Sequence, residues 1–345
     1  MPSLVATCDH ARSLKTYTSV TDTLVEVRLE VPLSDRGMRL DRFVQRHIAR
    51  LSRERVQHII KESMRDGEGK ATKPARIVKA GETFVWQREV TPDAGEVPEL
   101  EVLYEDDLFL AVNKPAGVVV HPTAKVFRQT VTAWLREHRP EATIAHRLDR
   151  DTSGVLLCGK GRAGALLKEQ FRRSRVRKVY LAIVRGEPVW ETCTFAQAMM
   201  LDDRSALKVK MRIDSAGLPS LTHARVLERH GDHALVECRP ATGRQHQIRV
   251  HLHHAGHTIV GDKLYGVPDD VFREAADLGI TANVLAATGA RRHLLHAAEL
   301  HWLGANGEPH VAHAPLPSDM ELARAAKACD TLRDERSNDT ESSAP

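Results

Sequence analysis

A polar, charged segment at residues 146–154 stands directly before an apolar run at residues 155–158 that is typical of a buried strand. A core strand does not need the lead-in His-Arg-Leu-Asp-Arg-Asp-Thr-Ser-Gly, because buried charges are costly unless they are paired. Two interpretations follow. The segment is either a turn whose Asp, Thr and Ser side chains satisfy their own backbone, or a loop that directs a carboxylate at a ligand. The rest of the chain has to decide.

The bulk properties are those of a water-soluble protein of two domains. The chain has 345 residues, enough for a sizeable core, and no apolar run of the roughly 18 residues that a membrane span needs. Its first residues lack the basic and apolar regions of a signal peptide. Five cysteines are dispersed without a C-x-x-C pair, which disfavours a disulfide framework and a thiolate zinc site. We therefore expect a cytoplasmic protein without a membrane partner.

Charge is unevenly distributed along the chain, although the net charge is only +4. Residues 36–86 contain 13 Lys/Arg and 6 Asp/Glu, whereas residues 318–345 contain 4 and 7. A compact basic segment indicates a polyanionic partner, although a basic helix face can also be a solvated surface. The end of the acidic segment has almost no apolar residues, so we expect residues 318–345 to be a largely disordered tail.

The first hundred residues predict a small domain with flanking segments. Residues 1–35 are expected to be a lead-in that holds one half-buried strand at residues 23–31, where apolar and polar residues alternate. Helical spacing predicts a helix over residues 40–51 and a second, short one capped by Ser52. Residues 75–86 predict two strands about a turn. Arginines on the polar side of these helices are candidates for binding phosphate, because a guanidinium can donate two hydrogen bonds at once. They are Arg39, Arg42, Arg46, Arg50, Arg53 and Arg55.

Three motifs of this segment belong together: Arg-Leu-Asp-Arg-Phe at 39–43, residues 51–60, and Lys-Ala-Gly-Glu-Thr-Phe at 79–84. They resemble the small RNA-binding domain first known from a ribosomal small-subunit protein. Residues 64–72 depart from that pattern, because they lack the usual Gly-x-Val-x-Val-Asn-Gly stretch. The resemblance implies a small α/β RNA-binding domain over residues 36–86, and the polar, turn-rich residues 87–98 are expected to be a linker.

A second domain is predicted over residues 99–317. Helices are expected at residues 130–138, 162–173 and 244–255. Short apolar runs, mostly separated by turns, predict strands at 102–103, 108–112, 118–120, 178–184, 192–199, 207–213, 221–228 and 234–239. This order predicts an α+β domain with a mixed, mainly antiparallel sheet and flanking helices, and argues against a doubly wound parallel fold.

Four stretches of the second domain are too polar or too rich in glycine for their surroundings: residues 113–122, 146–154, 177–186 and 242–252. Together they resemble the motifs of the RluA-type pseudouridine synthases, which isomerise uridine to pseudouridine in ribosomal or transfer RNA. The motif His-Arg-Leu-Asp-x-x-Thr-Ser-Gly is the most specific of them. One departure is Gln245, where the family usually has Thr or Ser.

The resemblance implies roles for five residues. Asp149 matches the family's catalytic aspartate, and Arg249 matches its ion-pair partner. Tyr180 matches the active-site tyrosine, whose ring stacks on the flipped uracil and whose hydroxyl helps to remove the C5 proton. Arg147 matches the residue that occupies the space left by the extruded base. Arg244 is expected to bind RNA. When the glycosidic bond breaks, C1′ either carries positive charge or needs a new bond. An ionised carboxylate can stabilise that charge or form that bond, and a neighbouring guanidinium favours the ionised state.

Other chemistries remain to be weighed. Asp149 and Asp151 could be an acid–base pair or metal ligands, but the family leaves the second position variable. His253 and His257 have the spacing of a zinc pair, yet no Glu follows His253 and no carboxylate in a suitable pattern supplies a third ligand. We therefore expect no metal, and no cofactor, because an isomerisation needs no electron or group donor.

The predicted function is RNA pseudouridine synthase, with ribosomal RNA favoured as the substrate because of the added RNA-binding domain. Transfer RNA is the alternative substrate. A non-catalytic RNA-binding factor in ribosome assembly is the alternative function, and the joint presence of Asp149, Tyr180 and Arg249 favours the enzyme over it.

Overall fold

The computed structural model describes residues 15–21, 24–47, 53–89, 96–123, 126 and 128–325. The chain forms two compact units, whose main boundary lies between Glu96 and Val97. No helix in this described part of the chain is long and apolar enough to cross a membrane.

The N-terminal unit is a four-stranded antiparallel sheet with two helices. Its strands lie in the order β1-β2-β4-β3. The elements are β1 (Lys15–Thr21), β2 (Leu24–Glu30), α1 (Leu40–His47), α2 (Arg53–Glu62), β3 (Arg65–Asp66) and β4 (Thr83–Glu89). The alternating pattern of β2 buries Val27 and Leu29 in one core with Phe43 of α1 and Phe84 of β4. The helices thus cover the apolar face that the strands provide.

Several boundaries predicted for this unit are wrong. Residues 15–21 and 24–30 are not a lead-in, because β1 pairs with β2 and β2 pairs with β4, so the domain includes strands well before residue 36. Only β4 forms within residues 75–86, where Ile77 otherwise makes a single bridge to Arg39. β4 runs to Glu89, so the expected linker overlaps the sheet. Residues 1–14, 48–52 with the predicted cap Ser52, and 90–95 lie outside the described part.

The second unit is built on one large mixed sheet. Its main path is β10-β13-β14-β9-β15-β8-β6-β5, with β16 on β15 and β7 on β8. The strands of this unit are β5 (Glu101–Glu105), β6 (Phe109–Lys114), β7 (Ala142–Ile144), β8 (Ser153–Lys160), β9 (Arg177–Arg185), β10 (Thr192–Phe195), β11 (Met199–Leu201), β12 (Met211–Ile213), β13 (Thr222–Arg229), β14 (His233–Pro240), β15 (Leu295–Leu303) and β16 (Pro309–His313). Strands β11 and β12 lie outside the large sheet and pair with each other as a separate two-stranded antiparallel sheet. Its helices are α3 (Val131–His138), α4 (Ala163–Arg172), α5 (Gln247–His254), α6 (Asp269–Asp277), α7 (Ala282–Thr288) and α8 (Ser318–Ala325). Among the described strands, β8 and β15 alone pair in parallel. The predicted α+β class with a mixed, mainly antiparallel sheet is confirmed.

Strand β8 lies in the middle of this sheet and explains the apolar run that follows the polar segment. Its side chains from Val155 to Cys158 are fully buried, between two clusters of core residues. At the start of the strand, Gly154 has φ +109, and a Cβ there would collide with the carbonyl oxygen of Ala297 on β15. Glycine is therefore required at the point where the loop before β8 meets the neighbouring strand.

Three predicted features of the second unit are corrected. Residues 118–120 form no strand but one bridge from Val119 to Thr130, and the strand expected over 207–213 is limited to Met211–Ile213. Residues 318–325 are not a disordered tail, because α8 buries Met320 in the core beside β9 and β14. The remainder of the expected tail, residues 326–345, lies outside the described part.

Candidate active site

The loop between β7 and β8 carries Asp149 and is held at several points. The buried ammonium group of Lys114 donates hydrogen bonds to the carbonyl oxygens of Arg150 (3.0 Å), Pro115 (2.8 Å) and Val118 (2.9 Å). Burial lowers the pKa of Lys114 to about 7, against the opposing charges of nearby carboxylates. Further along the loop, the hydroxyl of Thr152 lies 2.8 Å from Nε2 of His293. The backbone that follows Asp149 is thus held at two points.

Arg249 on α5 joins Asp149 to a second carboxylate. Its Nη1 donates to Oδ2 of Asp149 at 2.8 Å, while Nε and Nη2 donate to the two oxygens of Asp262 at 2.7 and 2.8 Å. The side chains of Arg249 and Asp262 are 7% and 1% exposed, whereas that of Asp149 is 24% exposed. Asp262 also accepts hydrogen bonds from the backbone N–H groups of Leu264 and Tyr265. Asp262 therefore orients the guanidinium that supports Asp149.

Asp149 is ionised at neutral pH. Burial by itself would raise its pKa, but the positive charge and the hydrogen bond of Arg249 outweigh burial and lower the pKa to about 2. The same guanidinium holds the pKa of Asp262 well below its usual range. The site thus presents a carboxylate that stays charged although it is largely withdrawn from water.

An open cleft of about 180 Å³ lies over this carboxylate. Its lining includes Asp149 from the β7–β8 loop, Tyr180 from β9 and Arg249 from α5, so the structure brings the three residues predicted to be catalytic into one cleft. Arg147 and Arg244 also line the cleft, and both are exposed. The predicted grouping is therefore present in the second unit.

Tyr180 is half-buried in the wall of the cleft. Burial, together with the negative charge of Asp149, raises the pKa of its phenol, so the hydroxyl is protonated at neutral pH. Lys178 lies two positions earlier on the same strand and lines the same cleft, as the two-residue repeat of a β-strand requires. Burial lowers the pKa of Lys178 to about 8.

Sequence reasoning missed four residues of the site: Lys178, His246, Asp262 and Tyr265. The strand repeat from Tyr180 could have indicated Lys178. Asp262 and Tyr265 follow α5 in a turn, and no spacing rule connects them with Asp149, so only the folded chain reveals them.

The histidines that resemble a zinc pair have other partners. Nδ1 of His253 lies 2.9 Å from the hydroxyl of Thr258, and Nδ1 of His257 lies 3.2 Å from the carbonyl oxygen of Arg185. In the described ranges, no group of three or more His, Cys, Asp or Glu side chains is arranged to hold a metal ion.

The arginines predicted to bind RNA in the N-terminal unit differ in their surroundings. Arg39 donates from Nε and Nη2 to both oxygens of the buried Asp41, so its two-pronged donor set is used within the unit. Arg53 lies 3.5 Å from the same carboxylate and is 55% exposed. Arg42 is exposed. The side chain of Arg55 lies outside the described part.

The fold and the cleft define an enzyme that places an ionised, arginine-supported carboxylate among basic residues. Residues 108–254 match the family model for RNA pseudouridylate synthase. Ribosomal large subunit pseudouridine synthase D of Xanthomonas campestris pv. campestris is 35% identical over 318 residues, covering 88% of this chain and 93% of the relative. Ribosomal large subunit pseudouridine synthase C of Escherichia coli (strain K12) is 36% identical over 312 residues, covering 85% and 93%. The solved structure of human RNA pseudouridylate synthase domain containing 1 is 29% identical, with a TM-score of 0.49, and covers 68% of this chain and 99% of that chain.

The chain belongs to the RNA pseudouridylate synthase family. The RluA-type resemblance and the predicted enzyme class, a pseudouridine synthase, are confirmed.

Proposed function

We propose that this enzyme isomerises specific uridines of ribosomal RNA to pseudouridine in the cytoplasm, with Asp149 as the catalytic carboxylate. The observation that carries the proposal is the state of Asp149, which is ionised, hydrogen-bonded to Arg249 and open to a cleft that Tyr180 also lines. The names of relatives that share about a third of their residues with this chain support ribosomal RNA as the substrate.

The reaction moves the uracil ring from an N1 to a C5 linkage, so three changes have to be balanced. The C1′–N1 bond breaks and its electron pair leaves with the ring. Asp149 meets the resulting demand at C1′, either by forming a bond to that carbon or by stabilising its positive charge. After the ring has turned, C5 bonds to C1′, and any bond from Asp149 to that carbon breaks and returns its electron pair to the carboxylate. The C5 proton is lost and N1 gains a proton. The product is an isomer of the substrate.

Access to Asp149 requires the uridine to leave its stack. The carboxylate lies in the wall of a cleft and is largely withdrawn from water, so a base within an RNA helix does not reach it. Flipping costs a few kcal/mol of unstacking. Arg147 lies two residues from Asp149, is exposed and lines the cleft, which supports its role as the side chain that fills the gap.

Tyr180→Phe is expected to lower the single-turnover rate constant about 10²-fold and to leave the RNA concentration at half-saturation nearly unchanged. The substitution keeps the ring for stacking on uracil but removes the hydroxyl. Because this hydroxyl is protonated, it is proposed to relay the C5 proton, passing on its own hydrogen as it accepts that proton, and such proton transfers contribute about 10²–10⁴-fold. Tyr180→Leu is the matched comparison, because it removes the ring as well and is expected to weaken RNA binding. Equal rates for wild type and Tyr180→Phe would contradict a role for the hydroxyl.

The N-terminal unit is proposed to bind the RNA backbone through its exposed arginines. We expect the variant with Arg42→Gln and Arg53→Gln to bind long RNA more weakly. The slope of its plot of log affinity against log salt concentration should be shallower by about 1–2 units, because a protein that makes fewer phosphate contacts releases fewer counterions when it binds. Arg39→Gln is the comparison. Because Arg39 forms an ion pair with Asp41, its substitution should lower the free energy of unfolding and leave the salt slope nearly unchanged. An unchanged slope in the double variant would remove these arginines from the RNA contact.

The test of the proposed function is to incubate the purified protein with unmodified large-subunit ribosomal RNA, small-subunit ribosomal RNA and transfer RNA, and then map pseudouridine. The expected result is pseudouridine at defined positions of large-subunit ribosomal RNA. Pseudouridine in transfer RNA alone would show that transfer RNA, and not ribosomal RNA, is the substrate. Pseudouridine in none of the three RNAs would overturn the proposal.

A further inference from the structure

His246 holds an unusual position at the edge of the cleft. It precedes α5 with φ 57 and ψ 17, in the left-handed region, and its side chain does not cap the helix. Ser174 and His246 are the non-glycine residues of the described part with positive φ. This conformation is unfavourable for a residue with a Cβ and persists where the surrounding structure enforces it, often at functional sites. The imidazole lines the cleft together with Asp149.

The hydrogen bonds of Tyr265 assign the tautomer of His246. The Tyr265 oxygen accepts from the backbone N–H of Met211 at 3.0 Å and lies 2.8 Å from Nδ1 of His246. Burial raises the pKa of Tyr265, so its hydroxyl keeps its hydrogen and has to donate it. The acceptor is Nδ1 of His246. The hydrogen of the neutral ring therefore lies on Nε2.

The Nε2–H group of His246 is a donor held beside the catalytic carboxylate. Burial lowers the pKa of His246 to about 4, so the ring is neutral at pH 7 and does not form an ion pair with Asp149. Nε2 lies 3.8 Å from Oδ2 of Asp149, which is too long for a hydrogen bond. In the described part of the chain, no residue accepts a hydrogen bond from this nitrogen.

We propose that His246 is a further catalytic residue, whose Nε2–H donates to a carbonyl oxygen of the flipped uracil. The inference rests on the proposed function. When the C1′–N1 bond breaks, the electron pair that leaves with the ring spreads onto its carbonyl oxygens. A fixed donor at such an oxygen stabilises the charge more in the transition state than in the bound uridine. The hydrogen stays on Nε2 throughout.

The same tautomer separates this role from general-base catalysis. The lone pair of His246 lies on Nδ1 and is occupied by the hydroxyl of Tyr265, so the ring is not arranged to take the C5 proton. Tyr265 is a positioning residue in this scheme. Its ring also lies 5.2 Å from the guanidinium carbon of Arg249, so one side chain orients both neighbours of Asp149.

The test compares His246→Asn with His246→Gln. Asn tolerates the left-handed backbone and can still accept from Tyr265, but it is too short to place a donor where Nε2 lies. Gln reaches that position with an amide N–H. We expect the single-turnover rate constant to fall about 10²-fold in His246→Asn, as when one preorganised donor is lost, and to stay within about tenfold of wild type in His246→Gln. RNA affinity should be unchanged in both. His254→Ala, on the exposed side of the same helix, is the control and should match wild type.

Two results would overturn the inference. One is a wild-type rate for His246→Asn. The other is a rate for His246→Gln as low as that of His246→Asn while both variants melt at the wild-type temperature, because a donor at the Nε2 position then has no effect. Both results presuppose that the wild-type protein makes pseudouridine. A wild-type protein without product would instead overturn the proposed function.

Discussion

Asp149→Asn is expected to lower the rate of pseudouridine formation by at least about 10³-fold, the order of loss found when a group that acts directly on the reacting atom is removed. The substitution keeps the shape of the side chain. In the wild-type protein Nη1 of Arg249 donates to Oδ2 of Asp149 at 2.8 Å, and the amide oxygen of Asn can still accept this hydrogen bond. It removes the negative charge, which is what C1′ requires as the glycosidic bond breaks. The measurement is single-turnover release of the C5 hydrogen, with RNA affinity determined separately and expected to change little.

Asp151→Asn is the matched control for this prediction. Asp151 lies two residues along the same loop, forms an ion pair with Lys263 at 2.7 Å, and is not part of the lining of the cleft. Its substitution should leave the rate within about tenfold of wild type, because Asp151 does not line the cleft and the Asn oxygen can still accept a hydrogen bond from Lys263. A folded Asp149→Asn protein with near-wild-type activity, or equal losses in the two variants, would refute the assignment of Asp149.

The secondary structure was predictable from the sequence where apolar residues recur with a strong period. Prediction failed where a segment takes its structure from contacts with distant parts of the chain. The alternation of β2 and the apolar run of β8 predict strands, and both form. β1 has the sequence Lys-Thr-Tyr-Thr-Ser-Val-Thr, which lacks a regular apolar face, and it becomes a strand by pairing with β2. Helix α8 was not predicted because residues 318–345 are rich in acidic residues and were expected to be disordered. In the structure Met320 of this helix is buried in the core.

The site was predictable to the extent that its residues lie in compact motifs. The motif at residues 146–154 and the resemblance it carries indicate Asp149, and the later motifs supply Tyr180 and Arg249. Asp262 and the tautomer of His246 depend on side chains that meet only after folding. The involvement of Arg39 with the buried Asp41 is a further example, because sequence alone presents that arginine as free to bind phosphate.

Arg249→Met is expected to abolish activity and to lower the free energy of unfolding by about 3–5 kcal/mol, the range for breaking a buried ion pair. The substitution leaves Asp262, whose side chain is 1% exposed, and the partly buried Asp149 without their shared positive charge. Both carboxylates have a pKa held below the usual value of about 3.9. Their stabilising contribution is therefore present at neutral pH and is lost as the pH falls below about 4. Denaturant unfolding of wild type and variant should accordingly converge in acid.

A second substitution separates the structural role of Arg249 from its role in catalysis. In the double variant Arg249→Met with Asp262→Asn, position 262 no longer holds a buried charge that needs a partner. The Asn oxygen still accepts hydrogen bonds from the backbone N–H groups of Leu264 and Tyr265. We expect most of the lost stability to return, because replacing both members of a buried pair costs far less than removing one. Activity should not return, since Asp149 still lacks the guanidinium that keeps it ionised and oriented. A double variant that regains both stability and activity would reduce Arg249 to a structural residue.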